Sequence, residues 1–444
     1  MSKISITCDW LPTGTDNAEI RDTSGRLSIS IDNVPLTRSQ DIWSGAVRDD
    51  VLVSAYPLAL WLASSWWRLL YEPLAHTKGT PATDWRMSHE LGAANHGFVW
   101  PDVAFATDGK DIQVEARAST PGTQQSIRYL TSQSAPARIS ALEFESAVAK
   151  FIGSVVSRLH DLGHMETELS SLWALVQTDR SNADTAHTRR LEALLGYDQE
   201  ECPAEILEFA RRMEKHFGDE AFSELAPAYG ATQSAVTLEA LFELEQLPGL
   251  MGRPEIDTSI VAADHHGKAA WECAVAAARN LRETMYNKSD PIPDDRLYRF
   301  LGLNADSVAN WKAPHVTQKV AVAAPVGDGM FAFKPRRRHA IFQRFEFARF
   351  IGDLLARKQT GTEWLTSTDS GTWRQKFQRA FAAEFLCPIA SLTDRLKGVD
   401  AETVIKQAAL DFQVSKMTVR YLLANNDLIP HSPLAGDFPY RLSM

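Results

Sequence analysis

Between Phe331 and Leu386 the sequence carries two amphipathic helix patterns joined by a polar loop, and this pairing constrains the chain more than any other feature. The first pattern runs through FAFKPRRRHAIFQRFEFARFIGDLLARK and the second through TWRQKFQRAFAAEFLCP. Apolar residues recur three and four apart in both, which predicts two helices packed against a common core. The loop between them, Gln359 to Thr372, is rich in Gly, Thr and Ser. Two short runs stand out inside the helices: Arg344-Phe345, Ala348, Arg349-Phe350-Ile351-Gly352-Asp353 and Leu354-Leu355 in the first, and Phe381-Ala382-Ala383-Glu384-Phe385-Leu386-Cys387-Pro388 in the second.

This layout resembles the catalytic core of the ImmA/IrrE family of bacterial zinc metallopeptidases. There the first helix reads Arg-Phe-x-x-Ala-His-Glu-x-Gly-His-x-Leu-Leu, and the second ends in an Ala-Ala-Glu-Leu-Leu-Met-Pro run. The frame is kept here, but the His-Glu-x-x-His positions hold Arg349, Phe350 and Asp353, and the third ligand position falls near Gln375. Two His at i and i+4 share a helical face and can hold one zinc, with the Glu as base. Arg349 instead brings a fixed positive charge with no lone pair to offer. Phe350 cannot act as a base, and Asp353 alone is too little for a tight zinc site. The resemblance therefore implies a zincin-like domain without zinc, a pseudopeptidase with no metal and no cofactor. Arg349 and Asp353, also i and i+4, are expected to pair with each other.

The 444-residue chain is too long for one ordinary core, and two to four domains are expected. The expected fold class is α+β: a mostly helical multidomain chain with an N-terminal α+β domain and a C-terminal zincin-like domain. The boundaries read as 1–135, Trp-rich α+β; 136–248, helical; and 255–444, ImmA/IrrE-like, with the linker at Pro248 to Pro254. Net charge is −10, which argues against wholesale coating of nucleic acid but leaves room for a local basic patch. Cys8, Cys202, Cys273 and Cys387 are scattered without a CxxC, so neither a zinc ribbon nor a disulfide framework is expected. MSKISITCDW has no apolar signal core, and the longest apolar run, Val51 to Leu70, is broken by Ser and Arg. A bacterial cytoplasmic protein without membrane association is the expectation.

In chain order, Ile4–Cys8 and Leu27–Ile31 alternate as strands, with a turn at Asp22 to Gly25, and Val51–Tyr71 reads as one helix carrying Trp61, Trp66 and Trp67. Phe98–Phe105 and Asp111–Ala116 read as strands turned at Asp108-Gly109. On that hairpin Asp102, Glu115 and Arg117 have the layout of a magnesium-dependent nuclease, except that Arg117 stands where a lysine is needed to carry protons. Solvated acids on a hairpin are the simpler reading. His89, Glu90 and His96 are spaced poorly for a shared metal, and adjacent His265 and His266 point to different faces. Helices follow at Glu143–Leu159, Leu169–Val176, Ala186–Leu195, Ala204–Phe217, Leu238–Gln246, Ala262–Met285 and Arg296–Phe300, then a hairpin at Lys319–Ala324 and Met330–Phe333.

Two further features bear on partners. Lys334, Arg336, Arg337, Arg338 and His339 form the densest positive run in an acidic chain and read as a contact surface for an acidic partner. Past Pro388, Ala401–Asp411 and Met417–Leu423 read as helix, turn, helix, with Lys416, Thr418 and Arg420 placed to touch DNA if the segment is a reader. ImmA/IrrE proteins are bacterial regulators that cleave repressors in mobile elements, stress responses and phage defence. The resemblance therefore implies a non-catalytic regulatory or defence-associated protein that binds a protein partner. The alternatives are a DNA-binding transcriptional regulator, and a metallopeptidase or nuclease with unorthodox active-site residues. The oligomeric state is not legible.

Overall fold

A computed structural model describes the chain except for residues 12, 16, 76–78, 121–124, 134, 231–238, 261–267, 286–288, 312–318, 358–362 and 431–444. The fold is mixed α+β, as the patterns predict. It divides into two compact units, one formed by Met1–Ala210 with residues 229 and 230, the other by Arg211–Ala228 and the described residues from 239 onward. Among the described residues, no helix is long and apolar enough to cross a membrane.

In the first unit, strand β1 (Ile4–Trp10) and strand β3 (Val51–Ser54) both pair antiparallel with β2 (Ser24–Ile31). The expected turn at Asp22 to Gly25 is instead the end of a short helix, Ala18–Asp22, and the start of β2. Gly25 is what allows this. A Cβ there would stand 2.4 Å from the Asp9 carbonyl oxygen, so only glycine lets β1 and β2 close at that point. The single helix expected over Val51–Tyr71 is also corrected. Val51 and Val53 face the core while Leu52 is exposed, the alternation of a strand, and the chain turns helical only at Tyr56. Pro57 opens helix α1 (Tyr56–Ser64), and α2 (Trp66–Tyr71) follows. Strands β4 (Asp102–Thr107) and β5 (Asp111–Arg117) form the expected hairpin, extended by β6 (Ala137–Ser140), and Ser140 caps the long helix α3 (Ala141–Asp161). Trp61, Trp66, Trp67, Trp85 and Trp100 are buried, whereas Trp43 is 86% exposed.

The second unit is organised on a four-stranded antiparallel sheet in the order β7-β9-β8-β10: β7 is Leu250–Gly252, β8 Ala321–Gly327, β9 Met330–Lys334 and β10 Leu365–Ser367. The stretch expected as a linker is thus the outer strand β7, paired with Phe331–Phe333. Its glycines serve close approach: a Cβ on Gly249 would meet Ala332 at 2.8 Å. Helix α4 (Ala270–Thr284), α5 (Ala340–Arg357) and α6 (Trp373–Leu386) pack together, with α6 touching both of the others. His265 and His266 fall outside the described residues. Gly352 faces the Phe381 ring, where a Cβ would come within 3.0 Å, and this brings α5 close to α6. Phe377, Phe381 and Phe385 stack along α6 with centroids 6.4 and 5.2 Å apart. Helices α7 (Ala401–Asp411) and α8 (Lys416–Asn425) follow α6 further along the chain.

Candidate functional site

Helices α5 and α6 and the segment from β10 to the α6 N-cap, Thr372, carry and surround Arg349, Phe350, Asp353 and Gln375, the four positions singled out in the sequence. Phe350 is fully buried and meets Phe333 edge-on at 5.5 Å, so it belongs to the apolar core. Asp353 is 0% exposed. Its carboxylate accepts Arg374 Nε at 2.6 Å, Arg374 Nη2 at 2.7 Å and the Thr366 backbone N–H at 3.1 Å. This is a bidentate, buried pair with a third donor completing it. Gln375 Oε1 accepts Arg349 Nη2 at 2.5 Å and the Thr368 N–H at 2.8 Å, while its Nε2 donates to the Thr366 carbonyl at 3.3 Å.

The expected Arg349–Asp353 ion pair does not form. Arg349 spends its Nη2 on the Thr368 carbonyl, at 2.6 Å, and on Gln375. The order of the two residues explains the outcome in part, since a helical pair is favoured with the acid first. The stronger reason lies across the helix interface, where Arg374 offers Asp353 a two-pronged fork. Burial is the main force pushing the Arg349 pKa down, and the guanidiniums of Arg336 and Arg379 push the same way. Near this network Glu224 accepts Thr372 Oγ1 at 2.7 Å, and burial raises its pKa against the pull of Arg374.

The basic run divides into an inner and an outer part. Lys334 is 4% exposed; it donates to the carbonyls of Leu244 at 3.2 Å and Glu245 at 2.6 Å, and burial draws its pKa down. Arg336 has a 4% exposed side chain, held by Glu346 at 2.5 Å and Asp369 at 2.8 Å. These two are structural, not surface contacts, because each is spent on acceptors inside the unit. Arg337, Arg338 and His339 are exposed, and Phe342 beside them is 50% exposed with its ring 5.7 Å from that of His339. The motif residue Glu384 is buried and accepts Arg279 Nε at 2.9 Å and the Ile389 N–H at 3.1 Å, tying α6 to α4 and to the turn after it.

Elsewhere the structure keeps one sequence grouping on a single face and separates another. On the β4–β5 hairpin, Asp102 lies opposite Arg117 and bonds it at 2.7 Å, while Glu115 lies opposite Ala104 on the same face and is 3% exposed. His89 is fully buried, bridges the Phe105 carbonyl and Glu72 at 3.0 Å each, and stacks on Trp85. His96 instead contacts the Ala94 carbonyl, so the two histidines share no site. In the closing helix pair, Ser415 caps α8 and bonds Thr418, Arg420 pairs with Glu402, and Lys416 is exposed. Among the described residues, no three His, Cys, Asp or Glu come together in a group that could hold a metal ion.

Sequence reasoning did not single out Arg374, Arg379, Asp369 or Glu224. For the two arginines the available signal was the density of polar residues in α6, Arg374-Gln375-Lys376 and Gln378-Arg379, inside a helix whose burial demands partners for them. Comparison with protein-family models, with curated proteins and with solved structures finds no match for this chain.

Proposed function

We propose that this chain is a non-catalytic bacterial regulatory or defence-associated protein whose second unit retains a pseudopeptidase fold, similar to ImmA/IrrE proteins, and uses it to bind a protein partner. The observation that carries the reading is the state of Asp353. Three donors fill its two oxygens, so to ligate a metal it would have to abandon Arg374 inside the core. Gln375 is similarly engaged with Arg349 and the Thr368 N–H. A general base or an activated water has no place in such a network.

What the unit presents outward is Arg337, Arg338, His339 and half-exposed Phe342, a cationic and aromatic patch on a chain of net charge −10. Arg and aromatic side chains are the usual anchors of binding surfaces, and the local charge selects an acidic partner. The test compares Arg337→Glu with Arg338→Glu against Asp353→Asn for activity in cells. The reading predicts that the charge reversal abolishes activity while the fold stays intact, and that folded Asp353→Asn protein keeps it. A stable but inactive Asp353→Asn variant overturns the reading. A steep salt dependence in a DNA shift assay would reassign the patch to nucleic acid.

A further inference from the structure

Three arginines from separate parts of the second unit converge on three consecutive residues. Arg349 of α5 donates to the Thr368 carbonyl at 2.6 Å, Arg336 to the Asp369 carboxylate at 2.8 Å, and Arg379 of α6 to the Ser370 carbonyl at 2.8 Å. A fourth, Arg337, stands 3.8 Å from the second Asp369 oxygen. Three carboxylates face these four cations: Asp369, Glu346 on the far side of Arg336, and buried Glu224 near Arg379. Four positive charges less three negative leave the cradle one charge positive, and two once Asp369 is displaced.

The hydrogen bonding is short in the same sense. Arg349 and Arg379 each spend a donor on a neutral carbonyl, while Arg349 Nε and Arg379 Nη2 are buried without an acceptor. Arg349 is 2% exposed, so solvent does not offset its unmatched donor. Asp369 and Arg337 are the open side of the cluster, with side chains 44% and 50% exposed. Burial opposes a charged Asp369, yet Arg336 and Arg349 prevail and hold its pKa well below the usual carboxylate range.

We propose that this cradle binds a phosphoryl dianion, and that Asp369 is the internal anion that holds the arginines together until the ligand displaces it. A dianion matches the two charges left once Asp369 is displaced, and its oxygens accept from several guanidinium forks at once, which one carboxylate cannot do. The ligand enters past Asp369, replaces it on Arg336 and Arg337, and takes the spare donors of Arg349 and Arg379.

The experiment is a binding titration of the full chain with inorganic phosphate against sodium chloride at matched ionic strength, followed by calorimetry and by thermal shift. Saturable binding is expected for the natural protein. Asp369→Asn removes the internal competitor and should tighten binding about tenfold or more. Arg379→Gln should weaken it about tenfold, and Arg337→Gln, an exposed change that leaves the core alone, should weaken it measurably. Adenosine monophosphate and phosphoserine in parallel distinguish the carrier: tighter binding of one names it, and equal binding assigns the site to free phosphate. The proposal is overturned if neither the natural protein nor Asp369→Asn binds phosphate saturably, or if binding ignores all three substitutions.

Discussion

Replacing Asp353 by Asn removes one charge and almost no volume, so its effect isolates the buried pair. In the natural protein both carboxylate oxygens face Arg374, at 2.6 and 2.7 Å, and neither side chain exceeds 10% exposure. The Asn amide turns two N–H donors into a space already occupied by guanidinium donors, which strands a buried cation. Removing one partner of such a pair costs about 3–5 kcal/mol. For a unit of this size that corresponds to a fall in melting temperature of roughly 6–20 °C. Arg374→Met strands the opposite charge and should cost a similar amount. Asp353→Leu combined with Arg374→Met strands neither, leaving the Thr366 N–H without its acceptor, a loss of about 1–3 kcal/mol, and Glu224 without the pull of Arg374. Thermal and urea melts of Asp353→Leu, Arg374→Met and their double close the cycle, with Asp353→Asn measured beside them. If Asp353→Asn melts within about 1 °C of the natural protein, the carboxylate is not a structural anchor, and the account of the degenerate positions fails.

Three further outcomes follow from other contacts. Gly25→Ala should destabilise the first unit by about 1–3 kcal/mol or more, read as a lower melting temperature, because its Cβ would stand 2.4 Å from the Asp9 carbonyl. Glu72 is buried, which opposes its charge, but His89 and Arg68 hold its pKa below the ordinary 4.5. Its stabilisation is therefore complete above that value and drains away as pH falls through the lower folded-state value. Glu72→Gln should thus lower stability at pH 7 and flatten the acid limb of the stability curve, and parallel curves for the two proteins would contradict this. Arg337→Glu with Arg338→Glu should slow capture of an acidic partner more than it speeds release, with the difference fading at high salt; an unchanged association rate at low salt would remove the patch from the interface.

The helices were legible where their apolar period was regular. Phe347, Ile351, Leu354 and Leu355 are all buried in α5, as their spacing predicts, and Phe377 and Phe381 are likewise buried in α6. The hairpin at Gly327-Asp328-Gly329 was legible because the turn needs positive φ at all three residues. Strand β3 was missed because Val51-Leu52-Val53 runs straight into the apolar helix at Tyr56, and a short apolar run does not declare its period. The charged network was the least legible part. Asp353 finds its partner 21 positions away, across a helix interface, where no local spacing rule reaches. Arg336 looked like part of a surface run because Arg337 and Arg338 are, yet Glu346 and Asp369 draw it inward. Side-chain charge reveals that a partner is needed, but only the packing reveals whether that partner lies inside or outside the unit.

Arg349, Phe350, Asp353 and Gln375 form an internal scaffold, and the proposed function requires that it hold no zinc. Elemental analysis of the chain purified from zinc-supplemented cells tests it most directly, with Asp353→Asn analysed beside it. The account predicts zinc far below one ion per chain and no change on substitution. About one zinc per natural chain, lost in Asp353→Asn, would contradict it.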